Sequence, residues 1–291
     1  MSAYPHSNLR FIAREGQGTR TPERLRAHYE VERRLADKIR AAGSWEARKA
    51  VFATMYDDLF REVPDHPRRT GMRADSAARE KHIDWNMAQL KPYLKPGMTF
   101  LEIGAGDCAL ASRVAKTARQ VYAVDISDQH QGTLPANVKV VLTDGRAIDV
   151  PPGSVDLAFS DQLMEHLHPE DAIEQLKNIH RALKPGGVYM CVTPNRVYGP
   201  SDISRYFDDE ARGFHLKEYN LPELREIFVQ AGFPRSHVYI GARGCFLRCP
   251  AWMVELVENT ISRLPAAWRR RVADSKVARA LLGLRVAAIK G

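Results

Sequence analysis

The chain has 291 residues, 44% of them apolar and 27% charged, which excludes wholesale disorder and leaves room for one α/β core with additions. Its net charge of +8 is unevenly spread: 17 basic against 13 acidic residues in 1–90, 16 against 19 in 91–240, and 10 against 3 in 241–291. The slightly acidic middle argues against a basic nucleic-acid groove across the core, so no nucleic-acid partner is expected.

The first residues have neither the basic region nor the apolar run of a signal peptide, and no stretch holds 18 uninterrupted apolar residues. A cytoplasmic protein without a transmembrane segment is expected. Cys245 and Cys249 are the only closely spaced cysteines, and C-x3-C without further Cys or His offers too few ligands for structural zinc.

Residues 1–20 have no period and read as a mobile arm. Thr21-Pro22 then supplies a cap and a first-turn proline for a helix to about Ala42, with Leu25, Tyr29, Leu35 and Ile39 on one face. Ser44 caps a second helix, whose stripe includes Trp45, Phe52, Met55, Tyr56, Leu59 and Val63, and which Pro64 and Pro67 stop. Asp75 is the expected cap of a third, through Ile83, Met87, Leu90 and Leu94. Residues 1–94 are thus read as a helical N-terminal extension covering a core of residues 95–291.

From there strands are expected at 99–103, 121–124, 138–142, 155–160, 188–193, 237–241 and 284–289, with helices after the first, fourth and fifth. Such alternation predicts an α/β fold with a doubly wound, seven-stranded, mostly parallel sheet. Between the last two strands, about 245–283, Trp252, Met253, Leu256, Val257, Ile261 and Leu264 recur at helical spacing, so a helical insertion is expected there. Trp252 and Trp268 beside arginines leave a homodimer contact or surface attachment as its expected uses.

Ligands of open α/β sheets bind outside the carboxyl ends of the strands. After the first predicted strand come Gly104, Ala105 and Gly106, where missing Cβ atoms let backbone approach a ligand. The turn fits the dinucleotide fingerprint, yet Glu102 stands just before it, suited to the loop or to a cationic ligand such as a sulfonium. Asp125 ends the second strand and can accept both hydroxyls of a ribose. Asp144-Gly145 ends the third and suits an adenine edge, although Asp-Gly is also an ordinary turn.

These segments resemble a class I S-adenosylmethionine-dependent methyltransferase of the small-molecule type. The likeness runs over residues 88–291 and rests on Phe100-Leu-Glu-Ile-Gly-Ala-Gly-Asp-Cys, Val124-Asp-Ile-Ser, Thr143-Asp-Gly, Val155-Asp-Leu-Ala-Phe-Ser-Asp-Gln-Leu-Met-Glu-His-Leu and His180-Arg-Ala-Leu-Lys-Pro-Gly-Gly-Val. The resemblance implies a Rossmann-like methyltransferase fold, S-adenosyl-L-methionine as cofactor and a small-molecule acceptor. It also implies cofactor contacts from Glu102, Gly104, Ala105, Gly106, Asp125, Ile126, Asp144 and Gly145, with Ser160, Asp161 and Gln162 against the methionine part and the acceptor. Lys184-Pro-Gly-Gly187 is expected to close a helix.

Methyl transfer needs an acceptor lone pair in line with the methyl carbon, and a base only when the acceptor enters protonated. His215, ahead of a helix opened by Asn220, and His166, after the fourth strand, are the candidate bases, with Asp161 beside them. His168 reads as a turn residue. Residues 199–209, polar and aromatic together, suit a hydroxylated acceptor. No His and carboxylate pair has ligand spacing along the chain, so no metal is expected. Methylation of an RNA, protein or lipid-linked substrate, a non-catalytic cofactor-binding protein and a nicotinamide oxidoreductase are the alternatives.

Overall fold

The computed structural model describes residues 20–66, 76–242, 244–273 and 275–291. The expected cap Asp75, the stop at Pro67 and residues 1–19 of the expected arm lie outside the described residues.

Helix α1 (Pro22–Ala41) starts where predicted, with the Thr21 hydroxyl accepting from the Arg24 amide at 3.4 Å. Helix α2 (Trp45–Glu62) is capped by Ser44, whose hydroxyl accepts from the Ala47 amide at 3.2 Å. Their shared seam buries Leu35, Ala36, Ile39, Met55, Leu59 and Val63 against Phe214, while Leu25 and Tyr29 pack on Ile203 and Phe207. The two helices therefore lie on the segment between residues 203 and 214.

Helix α3 (Ser76–Leu90) leads into the sheet, where β1 (Thr99–Ile103), β2 (Gln120–Asp125), β3 (Val138–Leu142), β4 (Val155–Asp161) and β5 (Leu183–Thr193) are all parallel. Helix α4 (Ala109–Val114) follows β1, α5 (Pro169–Ala182) joins β4 to β5, and α6 (Leu221–Gln230) precedes β6 (Arg235–Ala242). A full capping box, with Asn220 and Glu223 each bonding the other's amide, opens α6. Strand β8 (Leu284–Ile289) runs antiparallel between β5 and β6.

With the edge strand β7 (Cys245–Cys249), the strand order is β3-β2-β1-β4-β5-β8-β6-β7, so strand order reverses at β1 and β4. One face buries Phe100, Val121, Phe159 and Met190 beneath α3 and α4; the other buries Leu101, Val124, Ala158 and Tyr189 beneath α5 and α6. These are the two helical layers of a doubly wound α/β fold.

The sheet has eight strands instead of the expected seven. Cys245–Cys249 forms β7, antiparallel to β6 after a turn through Gly244, whose φ of +80° suits glycine. Its five residues merge, along the chain, with the helical period that follows. The insertion therefore begins with an edge strand, and only then come α7 (Ala251–Ser262), α8 (Ala266–Ala273) and α9 (Lys276–Leu282). A second difference lies at Lys184-Pro-Gly-Gly187. Helix α5 ends at Ala182 and these residues already belong to β5, which meets β4 with a register shift between Val155 and Leu157.

Candidate active site

The carboxyl ends of β1, β2 and β4 carry a ring of acids around the glycine turn. Gly104 and Gly106 have φ of +77° and +51°, and the Gly104 amide donates to the Val124 carbonyl at 2.8 Å, which ties the turn to β2. Asp125 Oδ2 accepts from the Gly106 amide at 2.8 Å, so the predicted ribose carboxylate also sets the loop's path.

Glu102 points to the side of the sheet that α3 and α4 cover, is 7% exposed, and its Oε2 has no hydrogen-bond partner among the described residues. Burial, opposed by the Ala111 amide and reinforced by Asp107, Asp161 and Asp125, holds its carboxyl well above the usual carboxylate range. A buried acid with one oxygen unpartnered, set among three other acids, is a place for positive charge. The sulfonium and ammonium of S-adenosylmethionine fit this donor set; the pyrophosphate of a dinucleotide does not.

Asp144 accepts from the amides of Arg146 and Ala147 at 3.1 and 2.9 Å, the ordinary turn bonding of Asp-Gly, and from Lys49 of α2 at 3.3 Å. Gly145, with φ of +99°, faces Trp45 and Ile126: a Cβ there would lie 3.8 Å from the indole and 3.9 Å from the Ile126 side chain. Ile126 is half exposed. Helix α2 thus hangs over the edge where Asp125, Ile126 and Gly145 converge, with Arg146 stacked 4.9 Å from the Trp45 ring.

At the end of β4 the three candidates part company. The Ser160 hydroxyl is fully buried and shares a 2.7 Å hydrogen bond with Tyr189 on the far face, leaving only its backbone toward the turn. Asp161 lies on the Glu102 side and is held by α3, accepting from Asn86 at 3.0 Å and meeting His82 at 2.9 Å. Hydrogen bonding to Asp161 outweighs desolvation and raises the His82 pKa. Gln162 takes φ of +53°, rare for a side chain with a Cβ, while its amide donates to Val192 at 2.9 Å.

Beyond Gln162 the chain forms a 3₁₀ turn, Met164–His166, and a polar cavity of about 440 Å³ opens beside it. His166 and His215 form one wall, Asp202, Arg205 and Tyr206 another, and His28, Glu32, Tyr56 and His66 of the N-terminal segment the roof. A neighbouring cavity of about 290 Å³ shares Ser201 and Arg205 and reaches Gln162 and Arg285. The two together border the ends of β4 and β5.

His215 is buried and its Nδ1 lies 2.6 Å from Glu218. Burial lowers its pKa, but Glu218, Glu165 and Asp202 more than offset this, so the net shift is upward. His166 Nδ1 donates to the Phe214 carbonyl at 3.0 Å, and the two imidazoles meet edge to face at 4.9 Å between ring centroids. Glu165, fully buried behind them, accepts from the Thr193 hydroxyl at 2.8 Å; burial is the main cause that pushes its carboxyl up to about 7.

The fold therefore brings Glu102, Gly104, Gly106, Asp125 and Asp161 to one locus and His166 and His215 to the adjoining cavity. The sequence reading missed the roof residues His28, Glu32 and His66, and the supports Glu165 and Glu218. The signal for two of them was available: His28 and Glu32 fall on the same helical face as Leu25, Tyr29 and Leu35.

A doubly wound sheet with an acid-ringed glycine turn and a polar cavity beside it has the architecture of the Rossmann-like methyltransferase class. Residues 76–235 match the methyltransferase-domain family, and the chain belongs to that family. A probable S-adenosylmethionine-dependent methyltransferase of Mycolicibacterium smegmatis is 32% identical over 140 residues, 47% of this chain and 52% of the relative. Phosphoethanolamine N-methyltransferase 2 of Caenorhabditis elegans is 28% identical over 207 residues, 64% of this chain and 46% of the relative. The chain thus spans about half the length of these curated relatives. The crystal structure of an S-adenosylmethionine-dependent methyltransferase from Mesorhizobium loti shares the fold, with a TM-score of 0.50 and 17% identity over 72% of this chain and 98% of that one. Among the described residues no helix is long and apolar enough to cross a membrane.

Proposed function

We propose that the protein is a cytoplasmic S-adenosylmethionine-dependent methyltransferase whose acceptor is a small hydroxylated molecule, a saccharide or secondary metabolite, methylated on oxygen. The orphaned, buried Glu102 beside the glycine turn carries the cofactor half of this reading. When bound, the cofactor supplies an electrophilic methyl group on a sulfonium. Glu102 and Asp161 would hold its cationic groups, Asp125 its ribose, and Ile126 and Gly145 its adenine edge, with Trp45 closing over them. The N-terminal helices serve as the cover of both sites.

The polar cavity supports the acceptor half. Its walls mix Asp202, Arg205, Tyr206 and two histidines, a lining that hydrogen-bonds hydroxyl groups and leaves little room for a polymer. His215, oriented by Glu218, and His166 are the groups placed to manage the acceptor proton. Closure by α1 and α2 would keep water from the methyl group.

The test is calorimetric titration with S-adenosylhomocysteine and with NAD, followed by a methyl-release assay on sugars, natural-product precursors and phosphoethanolamine, the last because a relative is named for it. Saturable binding of S-adenosylhomocysteine and turnover of a hydroxylated acceptor are expected, with His215→Ala at least tenfold slower. Tight NAD binding without S-adenosylhomocysteine binding would overturn the cofactor assignment. Turnover of phosphoethanolamine alone would overturn the acceptor class.

A further inference from the structure

We propose that Glu165, His166 and His215 form a site for a divalent first-row transition cation behind the histidine wall of the acceptor cavity. The inference rests on the acceptor reading above and deepens it, because it says how that cavity would manage a hydroxyl proton.

Each of the three residues offers one ligand atom, and these atoms all lie within 4.8 Å of one another. Their other polar atoms are already fixed. His166 Nδ1 donates to the Phe214 carbonyl, and His215 Nδ1 is bound to the Glu218 carboxylate at 2.6 Å, so Nε2 is the nitrogen each ring would offer to a cation. Glu165 Oε2 accepts from Thr193, while Oε1, in a fully buried side chain, has no hydrogen-bond partner among the described residues. Ligating histidines generally give their second ring N–H to a carbonyl or carboxylate, and ligating carboxylates are themselves hydrogen-bonded. All three residues meet that condition.

Two imidazoles and one carboxylate on one side of a cation leave the positions facing the cavity for solvent or a ligand, a set suited to Mn2+, Fe2+, Co2+ or Zn2+. A cation there lowers the pKa of a coordinated hydroxyl, which a methyl acceptor needs. The proton of the coordinated hydroxyl would pass to water in the cavity, and the oxygen would then take the methyl group as the carbon–sulfur bond breaks and S-adenosylhomocysteine leaves.

A second cluster, His28, Glu32 and His66, also has its ligand atoms within 4.8 Å, but its hydrogen bonding opposes a metal. Arg20 lies 3.0 Å from His28 Nδ1, and a guanidinium can only donate, so that nitrogen is an acceptor and Nε2 carries the proton it directs at Glu32, 2.7 Å away. This is an imidazole–carboxylate pair, with the imidazole nitrogen nearest the carboxylate occupied by a proton.

The experiment is calorimetric titration of the EDTA-stripped full chain with Mn2+ and with Zn2+, alongside Co2+ absorption spectra and S-adenosylhomocysteine titration of the same samples. One cation per chain is expected, with ligand-field bands from Co2+. Affinity should fall at least about tenfold in Glu165→Gln and His166→Ala, and about tenfold or more in Glu218→Gln, which touches no cation. Glu32→Gln should bind as the wild type does. Absence of saturable binding by the wild-type chain, or loss of binding in Glu32→Gln with retention in Glu165→Gln, would overturn the site. Because the wild-type Co2+ bands report by their intensity whether the cation sits in a low-coordinate protein site or stays six-coordinate in water, the wild-type spectrum decides the matter even where a variant fails to fold. Retained S-adenosylhomocysteine affinity without metal binding would reject this site and leave the methyltransferase reading standing; loss of both would reject that reading as well.

Discussion

Glu102 gives the sharpest expectation for a single side chain. Its carboxyl is held above the usual range by burial and by Asp107, Asp161 and Asp125, and a cationic ligand beside it favours the charged form over the protonated one. A ligand that favours the charged form is bound more tightly as that proton is lost, so cofactor affinity should rise with pH across the range above the ordinary carboxylate pKa. Titrations of the wild type at several pH values should show that slope; Glu102→Gln should remove it and weaken binding tenfold to about a hundredfold, the worth of a charge-assisted hydrogen bond. Glu32 has the opposite sign. Burial would raise its pKa, but hydrogen bonds from His28 and His66, with the Phe214 amide, bring it from 4.5 to about 2. Its contribution, on the order of 3 kcal/mol, is present above pH 4.5 and is lost as pH falls toward 2. Urea midpoints should therefore fall on acidification through that window in the wild type, and less steeply in Glu32→Gln.

Helix α2 shows what an element adds beyond its residues. Its buried Arg48 makes two bonds to Asp171 of α5, at 2.7 and 2.8 Å, and one to Glu170 at 2.9 Å, which pins α2 to α5. Arg48→Met would leave Asp171 buried with only the more distant Arg146, 3.8 Å away, a loss near the lower end of about 3–5 kcal/mol. Limited proteolysis should then cut between α1 and α2 far faster than in the wild type, and S-adenosylhomocysteine affinity should drop with it if Trp45 covers the adenine edge. Unchanged affinity in a proteolysis-sensitive variant would separate α2 from the cofactor. The caps and apolar stripes of α1, α2 and α6 were legible because Thr21, Ser44 and Asn220 act within three residues of themselves. The glycine turn and the acids at strand ends were legible for the same reason: their positions follow from strand alternation. Contacts such as Arg48 to Asp171 and Glu165 to His215 join residues tens of positions apart, and no local period announces them. Strand β7 was lost differently, as five residues too short to stand out beside a helical run.

At the scale of the molecule, the proposed cofactor site gathers the ends of β1, β2, β3 and β4, and the cavity beside it joins α1 and α2 to the segments around residues 166 and 201–215. A ligand that contacts so many elements stabilises the fold as a whole, because unfolding any one of them forfeits the binding energy. At a free concentration about a hundred times its dissociation constant, S-adenosylhomocysteine should add about 2.7 kcal/mol. With an unfolding entropy of about 2.1 cal/mol/K per residue, the 291-residue chain has a transition entropy near 0.6 kcal/mol/K, so the melting temperature should rise by about 4 °C. NAD at the same concentration should leave it unmoved, since the acids around Glu102 repel a pyrophosphate. Asp125→Ala should abolish most of the shift by removing both the expected ribose acceptor and the brace on the Gly106 amide. A shift of equal size with NAD, or one that survives in both Glu102→Gln and Asp125→Ala, would place the ligand elsewhere in the molecule.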